Sequence, residues 1–154
     1  KYLLMLFLIS CGGSINLDSS NSKLPIQFLE QEENEMFTLV NEHRKSKGLQ
    51  ELIPHEKASS TSFAHSKYMA NVKRGLTHNG FSSRIKEIQS YQNEKISRSG
   101  ENVAFNSSTL KAHKALLKSS GHRKNIEGDF THIGVGVYED NRGRIYFTQI
   151  FLKQ

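Results

Sequence analysis

Three short polar segments carry the side chains of this chain best suited to chemistry: "LTHNG" at 76–80, "SGENVAF" at 99–105 and "SSGHRKNI" at 119–126. They supply His78, Glu101 and His122, two imidazoles and a carboxylate. Neutral imidazole nitrogens ligate zinc and similar ions, and a carboxylate either ligates beside them or orients their rings. The same trio can also move protons as an acid/base set. His78 and His122 stand 44 positions apart, so the local spacings of a zinc finger and of an HExxH helix are both absent. Only the fold can gather them. Each segment also has a purely structural reading: a histidine as a turn residue where a helix stops, and Gly-Glu-Asn as loop vocabulary with its carboxylate bonded to backbone N–H groups. No Ser/His/Asp set for nucleophilic catalysis is evident.

The elements that must position these residues follow from periodicity. Residues 32–47 read as a helix, with Met36, Leu39, Val40 and His43 on one stripe and Glu32, Glu33 and Glu35 where the N-terminal dipole favours anions. Gly48 is its stop. A second helix is predicted over 55–73, with Ala58, Thr61, Ala64, His65, Tyr68, Met69 and Val72 as a broad stripe. His43 and His65 read as packed or surface histidines rather than ligands. One short helix is expected within 81–98, around Ile85, Ile88 and Ile96. Residues 109–119 make a third amphipathic helix, with Ser107 or Ser108 as N-cap and Gly121 just beyond its end. The period then changes to two. "HIGVGVYE" and "RIYFTQIFL", joined by "EDNRG", predict a β-hairpin. The second strand is apolar on both faces, and bare glycines alternate with valines in the first, so layers should cover both sides and one should approach closely.

The 154 residues suffice for one domain with a real core. Charge is unevenly spread: residues 1–56 hold 5 Lys/Arg against 8 Asp/Glu, and residues 57–154 hold 16 against 7. A body at +9 by that count can attract anionic glycan or lipid head groups. No basic run exceeds two residues, so nucleic acid is not expected as a partner. "KYLLMLFLISC" opens the chain with an apolar run too short to span a bilayer, which fits residues 1–10 as a signal peptide truncated at its start. Leu8-Ile9-Ser10-Cys11 resembles a bacterial lipobox, and Cys11 is the only cysteine of the chain, so it is expected to be the acylated residue. "GGSINLDSSNSKLP" has the composition of a tether, which makes 11–27 the lipidated cysteine and linker and 28–154 the globular body.

The order and spacing of the polar segments resemble the CAP superfamily of cysteine-rich secretory, antigen 5 and pathogenesis-related proteins, and within it the short bacterial secreted branch. The matching residues are "NEHRKSKGLQEL" at 41–52, Ala64, Met69, His78, "GENVA" at 100–104, "SSGHRKNI", "THIGVGV" at 131–137 and "YFTQIF" at 146–151. Together they cover residues 33–152. The resemblance implies an α+β, three-layer α-β-α sandwich with a small antiparallel sheet, and a cleft holding two His and two Glu. By motif, His78, Glu101 and His122 match three of those four positions. Ser119 stands where the fourth, acidic one falls, and Leu116 stands where many members carry Trp. A tetrad lacking one carboxylate is a poorer metal site, so no cofactor is required and any zinc at His78 and His122 is expected to be weak. Asn102 and Asn125 read as residues that fix loops, and His55, His113 and His132 match no functional position.

The resulting expectation is a surface-displayed, lipid-anchored bacterial CAP-domain protein of the outer membrane. It is read as a monomer and as a non-enzymatic binder of a lipid, a sterol or a host protein. The alternatives are a metal-dependent hydrolase working through His78, Glu101 and His122, and an electrostatic binder of anionic polymer.

Overall fold

In the computed structural model, residues 26–154 are described, apart from 73, 74, 92 and 94. Cys11, the signal segment and nearly all of the tether therefore lie outside the described residues. The chain runs α1 (Ile26–Ser46), β1 (Ile53–Pro54), α2 (Glu56–Asn71), α3 (Phe81–Tyr91), β2 (Arg98–Asn106), α4 (Thr109–Lys118), α5 (Ser120–Ile126), β3 (His132–Glu139) and β4 (Ile145–Lys153). The strands form one sheet in the order β1-β3-β4-β2. It is antiparallel except for the two-residue β1, which runs parallel to β3 and pairs Ile53 with His132. That short parallel pair is the one departure from the antiparallel sheet expected above.

The two faces of β4 show why three layers form. Phe147 and Phe151 project into a core shared with Met36 and Val40 of α1, Leu116 of α4 and Ile126 of α5. Ile150 and Leu152 project the other way, against Ala58 of α2 and Ile88 of α3. A strand buried on both faces needs apolar residues at every position, and eight of its nine residues are buried. Gly134 and Gly136 of β3 face α2. A Cβ on Gly136 would lie 1.9 Å from the Phe63 nitrogen, and one on Gly134 would lie 2.2 Å from the Ala58 carbonyl carbon. The bare glycines therefore mark a helix backbone pressed onto a strand backbone.

This close approach lets side chains on the helices complete the outer edge of β3. Ser59 Oγ and Glu33 Oε1 accept from the outer-edge N–H groups of Val135 and Val137, while Ser62 and Ser66 of α2 donate across the sheet face to the carbonyls of Gly134 and Gly136, which point towards β4. Exposed strand N–H groups would invite pairing with another chain, and here these two are occupied from within. Glu33 thus serves the sheet rather than the helix dipole, because α1 begins six residues before the start read from its stripe and no acid lies in its first turn. Burial raises the Glu33 carboxyl pKa, with the Val137 N–H opposing the rise.

The "NEHR" segment is a staple. Asn41 exchanges two hydrogen bonds with the backbone of Leu52, at 3.0 and 2.8 Å. Arg44, 2% exposed, donates to the carbonyls of Gln50, Ile126 and Gly128. It ties α1 to the turn after α5, which carries the third polar segment.

Candidate functional site

Glu101 is the centre of the site and lies on a strand, not in a loop. Local sequence favours a turn at Gly-Glu-Asn, but the ladder to β4 overrides it, pairing Glu101 with Ile150 and Asn102 with Gln149. β2 is the terminal strand of the sheet, so its residues reach both helical layers at an edge. Asn102 points to one side: its amide donates to Gln149 Oε1 at 3.0 Å and to the His122 carbonyl at 3.1 Å, and its oxygen accepts from Asn125 at 2.9 Å. Asn125 also donates to the Glu101 carbonyl at 3.2 Å. The two asparagines therefore fix α5 against the strand.

The Glu101 side chain turns to the other layer and is 2% exposed. Its Oε1 accepts from His78 Nδ1 at 2.9 Å and from Arg84 Nη2 at 2.8 Å. Its Oε2 accepts from Arg84 Nε at 2.8 Å and Nη2 at 2.6 Å. Arg84 comes from α3 and also donates from Nη1 to the Asn79 carbonyl at 2.8 Å, which holds the His78 loop. A buried carboxylate requires a partner of this kind, and a bidentate guanidinium is the best available. His65 of α2 lies beside the pair, with Nε2 4.0 Å from Glu101 Oε1 and donating to the Thr77 carbonyl at 2.8 Å. Its pKa is lowered, first by burial and then by Arg84 and His78, against upward contributions from the Thr77 bond and Glu101.

His78 is half-exposed, at 53% of its side chain. With Nδ1 donating to the carboxylate, its neutral tautomer carries the lone pair on Nε2. Carboxylates hold ligating and proton-transferring histidines in this way. His122 sits in the first turn of α5, so it marks the start of a helix rather than a helix stop. Ser119 alone separates α4 from α5, through an extended backbone at φ −81° and ψ 121°. Gly121 lies inside α5 and ends nothing. The His122 pKa is lowered, by burial first and by the charge of His78 second. Ser119 is partly buried at the junction, and its hydroxyl makes no capping bond to α5.

Sequence reasoning named His78, Glu101, His122 and Ser119 but missed Arg84 and set His65 aside as a packed or surface histidine. A signal for Arg84 was present: it falls four residues before the buried Ile88, so a charge sits on the apolar stripe of a short helix. A cavity of about 290 Å³ opens beside it, lined by His65, Tyr68, Asn79 and Arg84 among others.

The donor set fits zinc poorly. Both oxygens of Glu101 are engaged by Arg84 and His78, which leaves His78 Nε2 and the His122 ring as ligands, one short of the three protein ligands of a catalytic zinc. Among the described residues no group of three or more His, Cys, Asp or Glu is arranged to hold a metal ion. His43, His55 and His113 lie elsewhere: His43 bonds Glu127 at 2.9 Å, His55 caps α2, and His113 packs 6.2 Å from His43.

Comparison with known proteins places this geometry in a family. Residues 37–151 match the cysteine-rich secretory protein family, CAP. An extracellular protein containing an SCP domain from Bacillus anthracis is 27% identical, with a TM-score of 0.71 over 87% of this chain and 45% of its own. An outer surface protein from Borrelia burgdorferi superposes with the same TM-score at 18% identity, covering 81% of this chain and 94% of its own. A cysteine-rich secretory protein from Staphylococcus aureus gives 0.66 at 19% identity, over 84% of this chain and 41% of its own. The chain thus spans under half the length of the Bacillus and Staphylococcus proteins. None of the curated proteins matches. The α-β-α layering, the staple built by Asn41 and Arg44 and the match over residues 37–151 agree: the chain belongs to the CAP family of cysteine-rich secretory proteins.

Proposed function

We propose that this is an extracellular CAP module of the bacterial envelope that binds a ligand or partner at the His78–Glu101–His122 edge and performs no catalysis there. The observation that carries the reading is the engagement of Glu101 by Arg84. A carboxylate whose oxygens already accept four hydrogen bonds is neither an open metal ligand nor a ready general base. With Ser119 in the acidic position, the motif supplies no second carboxylate. The half-exposed His78 and the partly buried His122 are left as polar contacts for a bound molecule, expected to be a lipid, a sterol or a host protein.

The location rests on kinship and on the start of the sequence. The Bacillus relative is described as extracellular and the Borrelia one as an outer surface protein. Attachment through an acylated Cys11, with surface display on the outer membrane, is the form of that location which the apolar run and the Gly/Ser-rich tether support.

One observation favours the metal-dependent hydrolase. His78 Nδ1 on a carboxylate, with a second imidazole whose pKa is lowered by burial and by His78, is how a zinc site is often begun. One experiment separates the readings: the purified chain is incubated with ester, peptide and phosphodiester substrates, with and without zinc, beside His78→Ala and His122→Ala. Turnover by the unaltered chain that is lost in both variants would overturn the binding-module reading. Turnover absent throughout, or equal in all three proteins, supports it.

A further inference from the structure

The far end of the sheet holds a second polar cavity, of about 450 Å³, between the β3–β4 turn and the C-terminal end of α2. Arg142, Arg144, Tyr138, Tyr146, Asn71 and Asn141 line it, with Asp140 at its base. It lies apart from the histidine cleft, because Tyr146 and the Glu101 partner Ile150 are four residues apart on β4, about 13 Å at strand rise.

The arginine is set in advance. Asp140 Oδ1 accepts from the backbone N–H groups of Arg142 and Arg144, and its Oδ2 accepts from Arg144 Nε at 2.7 Å and Nη2 at 2.7 Å. The carboxylate, 9% exposed, is thus turned inward and matched by one guanidinium. That guanidinium also lies over the rings of Phe105 and Tyr146, at 5.7 and 5.6 Å, and stays 42% exposed. Its N–H groups not taken by Asp140 remain for a ligand, with the exposed Arg142 beside it. Asp140 offsets one arginine, so the lining keeps a net positive charge.

We propose that this cavity is a binding site for one acidic sugar residue, carboxylated or sulfated, of an anionic glycan. A planar guanidinium fixed in place matches a carboxylate or sulfate through paired hydrogen bonds. Asn71 and Asn141 both donate and accept, as hydroxyl groups require. The partly exposed Tyr138 ring offers apolar surface to the C–H side of a pyranose, while the buried Tyr146 ring backs the Arg144 guanidinium. An extended acidic peptide fits less well. It would seek an open strand edge, and the outer-edge N–H groups of Val135 and Val137 on β3 are taken by Ser59 and Glu33. The basic balance of residues 57–154, 16 Lys/Arg against 7 Asp/Glu, would draw such a polyanion in.

Isothermal titration of the purified chain with heparin-derived and hyaluronan oligosaccharides, a neutral dextran oligosaccharide and an oligoglutamate peptide tests this. At least one acidic oligosaccharide should bind and the dextran should not. Arg142→Ala, and Arg144→Lys, which keeps the charge but loses the fork, should each weaken binding about tenfold or more. Lys118→Ala and Lys124→Ala on the α4–α5 side should change it by less than about twofold. His78→Ala should bind unchanged, so failure of the cleft reading leaves this one standing. An unaltered melting temperature for Arg142→Ala shows that the loss is not unfolding. The proposal is overturned if no acidic oligosaccharide binds, if the lysine variants lose as much as the arginine ones, or if oligoglutamate binds more tightly than the sugars.

Discussion

Removing Arg84 is the sharpest test of how the cleft is built. Glu101 and Arg84 are 2% and 12% exposed at their side chains, so this is a buried pair rather than a surface one. Arg84→Met keeps the helix and most of the stem volume but leaves a buried carboxylate facing one histidine. Breaking a buried pair from one side costs about 3–5 kcal/mol, because the remaining charge has lost its compensation. For a body of this size each kcal/mol lowers the melting temperature by about 2–4 °C, so a fall of about 10 °C is expected. Replacing both partners, Arg84→Met with Glu101→Gln, should recover a large share of that loss, since no uncompensated charge then remains. Calorimetry and urea unfolding of the two single variants and the double variant measure the coupling directly. A loss below about 1 kcal/mol for Arg84→Met, or strict additivity in the double variant, would refute the reasoning. Glu101 would then be a solvated carboxylate, open to ligate a metal or accept a proton.

Further expectations concern acid, packing, metal and the anchor. Burial first, and His43 second, hold the His113 imidazole pKa down to about 4, against 6.5 for the unfolded chain. The unfolded state takes up its proton first, so stability is complete above pH 6.5 and falls by about 3 kcal/mol towards pH 4; His113→Phe should remove that slope from unfolding measured across this range. Gly136→Ala should prevent the native packing of α2 on β3, seen as loss of the cooperative melt, because a Cβ there would lie 1.9 Å from the Phe63 nitrogen. Zinc should raise the melting temperature only at high concentration and less as pH falls through about 6, with the rise lost in His78→Ala and His122→Ala but kept in His113→Ala; an equal response in all four proteins would rule out a site between the two imidazoles. Cys11→Ala should abolish incorporation of labelled palmitate, and continued membrane partitioning of that variant would refute the lipobox reading.

What was legible from sequence, and what was not, divides along the range of the interactions. The period-two hairpin and the close approach marked by Gly134 and Gly136 are local patterns that the structure bears out, whereas the α2 stripe shifts: Ala64 and Tyr68 are exposed, and Ser62 and Ser66 are buried because small polar residues meet the bare glycines of β3. β2 was hidden because its Gly-Glu-Asn start has turn composition, and only the nine-residue ladder to β4 makes it a strand. α5 was hidden because the break from α4 is a single residue, Ser119, whose extended backbone the sequence does not announce. His78, Glu101, His122 and Ser119 were reached through motif, which carries residue identity but not what lies across the carboxylate. That contact, Arg84 to Glu101, spans 17 positions and two elements, and its sign decides the chemistry. Opposite a second carboxylate, Glu101 would invite a cation; bonded on both oxygens to a guanidinium, it already has one. The fixed positive group beside Glu101 is thus covalently part of the protein, which disfavours a divalent ion at that carboxylate.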